Sequence, residues 1–329
     1  MSHGSSGYAG FCGVYNETVF RAFDEVLATA ASADIKLIIT FIDYWRDTDG
    51  IPQCVRWCNG GTDKPTFYSD ASCKQMYKDH VQTVLNRLNT VTGVSYKNDP
   101  AVFAWDLVNE PRCDLPGEIG DSPAPASCIA NLQSWIDEMA AYVKGIDGNH
   151  LLTIGEEGLF GQSDSSANPP YVQNSGQDFL ANHRSSNIDF ATVHIWPDNW
   201  QLSPPLPVDF VSNFLQAHIQ AAQQLGKPLL LEEFGKSITN DNDNLRSSVR
   251  DPYFRAAYQA VQDSLSNSQP LKAAMFWELD VRGQGDASAF RPFGISTWDS
   301  TWTLVKNHVA WLVQHSPSCS SRTTISVAG

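Results

Sequence analysis

Two short stretches of the chain place carboxylates where predicted strands end. Residues 101–108 form an almost continuous apolar run of strand length that ends at Asn109-Glu110, and Pro111 has no amide hydrogen to continue a strand ladder. Residues 229–233 form a second apolar run, which ends in two glutamates before Phe234 and a glycine. Such runs are typical of parallel strands buried on both faces. We therefore predict that Glu110 and Glu233 lie at the carboxyl edge of a parallel sheet, where α/β folds form their sites.

Carboxylates at two strand ends could hydrolyse a glycosidic bond, one as acid/base and the other as nucleophile or base. For Asn109-Glu110-Pro111 alone, the alternative is that the tripeptide merely caps a turn. The second acidic strand end favours the chemical interpretation.

Alternating strands and helices are needed to position the two glutamates, and the sequence pattern predicts such an alternation. The predicted strands are 35–41, 101–108, 151–155, 188–195, 229–233 and 273–279. Helices are predicted from Asn16, from a capping box at 72–75, and over 128–146, 210–225, 251–265 and 302–313, with a long loop at 42–72. Strand–helix alternation with acids at strand ends favours a (β/α) barrel over an open doubly wound sheet.

Four motifs give the sequence a specific resemblance. The segments WDLVNEPRC (105–113), HIWPDNW (194–200), LLLEEFGK (229–236) and MFWELD (275–280) resemble glycoside hydrolase family 5, and look most like its plant and fungal endo-β-1,4-mannanases. The likeness runs from about residue 14 to about residue 311. It implies a (β/α)8 TIM barrel, with Glu110 as acid/base and Glu233 as nucleophile. Double displacement with retention is expected, with the two carboxyls about 5 Å apart.

The same resemblance implies a set of substrate-binding residues: Trp45, Asn109, Arg112, Glu157, His194, Trp196 and Trp277. Asn109 would bind the sugar 2-hydroxyl, and Trp277 would form the platform under the sugar at the cleavage point. A surface ion pair is the alternative for Arg112, and a structural salt bridge is the alternative for Glu157. Trp196 replaces the family's Tyr, and its indole can donate a hydrogen bond to Glu233 but cannot accept one.

Charge and cysteine content limit the partners and the compartment. A net charge of −14 and a pI near 4.8 argue against nucleic-acid or anionic-membrane partners, whereas a neutral β-mannan polysaccharide tolerates this charge. No metal or cofactor is expected. Seven cysteines favour an oxidising, extracellular compartment, although the chain starts without a signal peptide. Disulfides are expected between Cys113 and Cys128 and among Cys54, Cys58 and Cys73, and the odd number leaves one cysteine over.

Aligned with the family, the six predicted strands are the third to eighth of the barrel. The first two would be missing, so the chain is expected to begin inside the domain and to be poorly stable, and weakly active or inactive, in this form. The predicted divisions are an irregular segment at 1–13, the catalytic barrel at 14–315 and a tail at 316–329. A complete form is expected to be a monomer.

The predicted function is therefore that of a secreted endo-mannanase that cleaves internal β-1,4-mannosidic bonds during cell-wall polysaccharide degradation. One alternative is a related retaining β-glucanase or exo-mannosidase. The other is a truncated, inactive glycan-binding remnant.

Overall fold

The computed structural model describes residues 15–45, 50–113, 124–161, 166–169, 175–200, 207–239, 243–281 and 291–315. The strands are β1 (Leu37–Thr40), β2 (Val102–Asp106), β3 (Leu151–Thr153), β4 (Ala191–Ile195), β5 (Leu229–Phe234) and β6 (Leu271–Phe276). The helices are α1 (Glu17–Ser32), α2 (Ile51–Cys58), α3 (Ala71–Asn86), α4 (Ala126–Ile146), α5 (Phe179–Asn182), α6 (Val208–Leu225), α7 (Asp243–Leu245), α8 (Asp251–Ser266) and α9 (Ser300–His315). A π-helical stretch (Arg246–Arg250) joins α7 to α8, and 3-10 turns cover Lys64–Tyr68 and Tyr96–Asn98.

Every predicted strand is present, with ends shifted by a few residues, which confirms the α/β class and the (β/α)8-barrel type with six βα units in the described residues. Two local predictions were wrong. The segment 42–72 is not a simple loop, because it contains α2 and the first 3-10 turn. Helix α3 has no capping box at Ser72; it starts earlier, because the Asp70 carboxylate accepts from the amides of Ser72 and Cys73.

The chain forms two compact units. The first contains residues 1–194 and 217–232. In it, β1, β2 and β3 form a parallel sheet in that order, with Thr40 opposite Asp106 and Asp106 opposite Thr153. This register brings the ends of three strands level, so the residues that follow β1, β2 and β3 emerge at one edge of the sheet.

An aromatic cluster under this sheet holds the first unit together. Phe41 stacks on Trp105 at 5.3 Å between ring centroids, and Tyr77 meets Trp135 edge to face at 4.9 Å. Two buried polar groups of this cluster are hydrogen-bonded: the Trp105 indole donates to Asp147, and the Tyr77 hydroxyl donates to the Leu107 carbonyl. The strand that leads to Glu110 is therefore fixed both by packing and by hydrogen bonds.

The second unit contains residues 195–216 and 233–329. Strand β5, the middle strand of the order β4-β5-β6, ends in this unit, where the Trp277 amide donates to the Phe234 carbonyl. Phe234 packs against Phe254 of α8 at 4.7 Å, and Tyr258 stacks on His308 of α9 at 4.2 Å. These rings tie the end of β5 to the helices that follow it.

Two disulfides lie in the first unit, Cys58–Cys73 and Cys113–Cys128. They confirm the predicted Cys113–Cys128 pair and the prediction of a pair among the earlier cysteines. Cys12 and Cys319, the segment 1–13 and the tail 316–329 lie outside the described residues. Among the helices of the described part, none combines the length and apolarity needed to cross a membrane.

Candidate active site

Glu110 is buried in the segment that follows β2, and its backbone has a conformation that residues other than glycine rarely adopt. Its φ is 51°, and its amide donates to the Gly155 carbonyl at 2.7 Å. The Trp45 indole donates to Oε2 of Glu110 at 2.5 Å, and Nδ1 of His194 lies 2.8 Å from Oε1. Both carboxyl oxygens therefore have ring-nitrogen partners, which fixes the direction in which the carboxyl group points.

The turn after β1 holds Trp45 and Asn109 through one aspartate. Asp43 accepts from the Asn109 side-chain amide at 2.9 Å and from the Trp45 backbone amide at 2.7 Å. The Trp45 ring is 38% exposed, and the Arg112 guanidinium lies 5.0 Å from its centroid. Trp45 thus has one edge on the candidate acid/base and a surface available to a sugar.

Arg112 and Glu157 form a buried ion pair. The guanidinium donates to both carboxylate oxygens, at 2.6 and 2.5 Å, and the two side chains are only 3% and 2% exposed. Gln177 bridges the pair to the chain after β2 by donating to Glu157 and to the Pro111 carbonyl. Since each partner neutralises the other, a charge that would be costly alone is tolerated here.

Beside this pair, Glu156 has a carboxyl group buried without a hydrogen bond. Nδ1 of His183 lies 3.8 Å from one of its oxygens. Burial raises the pKa of Glu156 well above its usual range, and the charges of Asp178 and Glu157 add to this effect. This environment therefore favours the uncharged form of Glu156.

His194, at the end of β4, connects Glu110 to a second acidic group. Its Nε2 lies 3.4 Å from a carboxyl oxygen of Glu232, a residue of β5. Burial, and then the charge of Glu232, raises the pKa of Asp106, whose Oδ2 accepts from Thr40 at 2.7 Å. The interior of the first unit therefore carries acids along β2 and β5 on either side of one histidine.

In the second unit, Glu233 is partly buried at the end of β5. The Trp196 indole donates to its Oε1 at 2.9 Å, which is the contact that the sequence analysis described as possible for this indole. Trp196 is buried against Phe293, with 5.0 Å between centroids, and lies 6.5 Å from Trp277. Trp277 is 44% exposed and presents a flat apolar surface.

The structure groups the predicted residues within each unit. Around Glu110 lie Trp45, Asn109 and His194, with the Arg112–Glu157 pair buried beside them, and around Glu233 lie Trp196 and Trp277. Sequence analysis did not assign roles to Asp43, Asp106 or Glu232. An acidic residue inside an apolar strand was the available signal for Asp106 and Glu232, because burying a carboxyl group is costly without a partner.

Comparison with known proteins gives the family. The family model of glycoside hydrolase family 5 β-mannosidase-like proteins matches residues 6–294, so the chain belongs to this family.

The chain is similar in sequence to individual plant proteins over most of its length. It is 41% identical over 282 residues to mannan endo-1,4-β-mannosidase 1 of Arabidopsis thaliana, covering 83% of this chain and 65% of that protein. It is 40% identical over 285 residues to mannan endo-1,4-β-mannosidase 1 of Oryza sativa subsp. japonica, covering 82% and 62%. The chain thus spans slightly less than two thirds of these plant relatives.

Two solved structures of endo-mannanases have a similar fold. The endo-1,4-β-mannanase from Rhizomucor miehei superposes with a TM-score of 0.78 at 32% identity, covering 95% of this chain and 84% of that one. The endo-β-1,4-mannanase from Thermotoga petrophila superposes with a TM-score of 0.76 at 29% identity, covering 97% and 66%.

Proposed function

We propose that the protein is a retaining endo-β-1,4-mannanase, with Glu110 as acid/base and Glu233 as nucleophile. The observation that carries this assignment is that both carboxyl groups accept from an indole N–H, whereas Glu110 has in addition an imidazole nitrogen 2.8 Å from its second oxygen. An imidazole can accept or donate a proton, which suits a group that gives and regains one. An indole N–H only donates, which favours the ionised carboxylate that a nucleophile needs.

In the proposed reaction, a carboxylate oxygen of Glu233 attacks the anomeric carbon and forms a glycosyl ester. The bond to the leaving oxygen breaks with its electron pair, and that oxygen takes the proton of Glu110. Glu110 then removes a proton from water, the resulting hydroxide displaces Glu233, and the anomeric configuration is retained.

The remaining predicted residues are assigned by their exposure. Trp45 and Trp277 have open ring surfaces for stacking on sugar rings, and Asn109 is oriented by Asp43 for the 2-hydroxyl. Arg112 and Glu157 have almost no exposed surface, so we assign them to support the chain after Glu110 rather than to contact sugar over a large area.

The test is hydrolysis of mannan, galactomannan, glucomannan, cellulose and xylan, with proton NMR of the first reducing ends formed. Mannan chains should be cut internally, and the new ends should be β-anomers. Preferential cleavage of cellulose would favour the β-glucanase, release of mannose alone would favour an exo-enzyme, and binding without turnover would favour the non-enzyme. Ends that appear first as α-anomers would mean inversion and would remove the nucleophile role of Glu233.

We also propose that the protein works outside the cell. The two disulfides of the first unit support this, because such bonds persist mainly in oxidising compartments. Expression with and without a secretion signal tests it: a fully active protein that keeps both cysteine pairs reduced in a reducing cytosol would contradict the proposal.

A further inference from the structure

Two side chains, His194 and Glu232, form a series of contacts that starts at Glu110. Nδ1 of His194 is 2.8 Å from Glu110, and Nε2 is 3.4 Å from Glu232. The His194 side chain is 1% exposed, and those of Glu110 and Glu232 are each 9% exposed. All three residues belong to the first unit.

The donors and acceptors of Glu232, His194 and Glu110 indicate which of their atoms carry a proton. An ionised carboxylate only accepts, so Nε2 of His194 carries a hydrogen that points to Glu232. Trp45 donates to Oε2 of Glu110. The remaining pair, Oε1 of Glu110 and Nδ1 of His194, then holds one shared proton between them.

Several acidic groups surround His194, and they differ in burial and in position. The charged or ionisable groups that face His194 in this unit are Glu110, Asp106, Glu156 and Glu232. Burial and the charge of Glu232 raise the pKa of Asp106, and burial raises that of Glu156, which favours the uncharged form of both carboxyl groups. Among these four groups, Glu232 is the one with a carboxyl oxygen 3.4 Å from Nε2 of His194.

We propose that Glu232 is a positioning residue for the acid/base: it holds His194 as the Nε2–H tautomer, and its charge retains the proton shared by His194 and Glu110. The inference rests on the proposed role of Glu110. Removing the negative charge makes the shared proton easier to lose, so the acid form needed for the first step disappears at a lower pH.

The first measurement is the pH profile of kcat/KM for wild type and Glu232→Gln. The amide keeps the size of the side chain but removes its charge. The basic limb should move down by about one pH unit, because a charge in near contact in a protein interior is worth at least that much. Glu25→Gln, an exposed glutamate of α1, is the matched control and should leave the profile and the activity unchanged.

A second variant separates the two acids. Asp106 is already neutral in this scheme, so Asp106→Asn should leave the basic limb where it is. A shift in Asp106→Asn equal to that in Glu232→Gln would place the charge on Asp106 and overturn the proposal, as would an unshifted limb in Glu232→Gln.

The third measurement does not depend on activity. Nitrogen-15 NMR of the His194 ring, assigned from the signals lost in His194→Gln, should show a protonated Nε2 in wild type and a change towards Nδ1–H in Glu232→Gln. A wild-type Nδ1–H tautomer overturns the proposal even if Glu232→Gln fails to fold. If no polysaccharide is hydrolysed, the proposed function fails while the ring tautomer still decides this inference.

Discussion

The surroundings of Glu110 and Glu233 differ, although each residue lies at or just after the carboxyl end of a strand. Glu110 is held by Trp45 and His194, side chains from the ends of two other strands, and its backbone has a positive φ. Glu233 lies in a regular strand, partly buried, with the Trp196 indole as donor. The difference shows how one residue type can be given two tasks: both carboxyl groups accept from an indole, and Glu110 has in addition a histidine that can exchange a proton with it.

The largest effect is expected for Glu233→Ala. Only a carboxylate can form the glycosyl ester, so hydrolysis of mannan should fall by at least about 1,000-fold while the melting temperature changes little. Asp263→Asn, an exposed acid on α8, is the control and should retain activity. Turnover near the wild-type rate in Glu233→Ala would exclude Glu233 as the nucleophile.

Glu110→Gln should also cause a large loss of hydrolysis, and the size of that loss should depend on the substrate. Loss of the acid should slow mannan hydrolysis by about 100- to 10,000-fold, because the leaving oxygen must be protonated. An aryl mannoside with a good leaving group does not need that proton, so its glycosylation step should be nearly as fast as in wild type. Equal losses on both substrates would contradict the acid role and remove the contrast with Glu233.

The Gly155 carbonyl accepts a hydrogen bond from the Glu110 amide, and Gly235 follows the strand that contains Glu233. Replacing each glycine by alanine adds one methyl group, and the two replacements should differ in their effect on stability. Gly155 has φ 82°, and an added Cβ would lie 2.5 Å from both carboxyl oxygens of Asp106 and 2.6 Å from the Val108 carbonyl. Gly155→Ala should therefore lower the free energy of unfolding by about 3 kcal/mol or more.

The corresponding Cβ at Gly235 would lie 2.7 Å from the Trp196 ring and 3.0 Å from the Trp277 carbonyl, without a positive φ. Gly235→Ala should cost about 1–2 kcal/mol, since its contacts are longer than those at Gly155 and its φ lies outside the range that side chains rarely adopt. Urea unfolding of both variants measures the difference. A larger loss for Gly235→Ala would mean that the Glu233 region is the more rigid of the two.

The smallest effect is expected for Trp196→Tyr. A phenol can donate to Glu233 as the indole does, so mannan hydrolysis should stay within about threefold of wild type or increase. Trp196→Phe, which removes the donor and keeps an aromatic ring, is the matched comparison and should be slower. A large loss in Trp196→Tyr would show that packing against Phe293 matters more than the hydrogen bond.

The sequence by itself determined the strands, most of the helices and the two acidic strand ends. These depend on local patterns, such as the apolar run before Glu110 and the helical spacing after Asn16, which predict structure without knowledge of distant contacts. The same local logic failed at 42–72, where α2 lies in a polar, cysteine-bearing segment whose helix is stabilised by buried Ile51 and Val55.

Only the tertiary structure decided what surrounds each acid. Trp45 and His194 are 65 and 84 residues from Glu110 along the chain, and no local pattern links them. The sequence analysis left Arg112 with two interpretations, and the fold gave it Glu157 as a buried partner. The sequence likewise identified Glu232 only as the neighbour of Glu233, and the folded structure places it beside His194. The charge, donors and burial around a carboxyl group come from whichever strands end near it, and strand pairing is a long-range property of the folded chain.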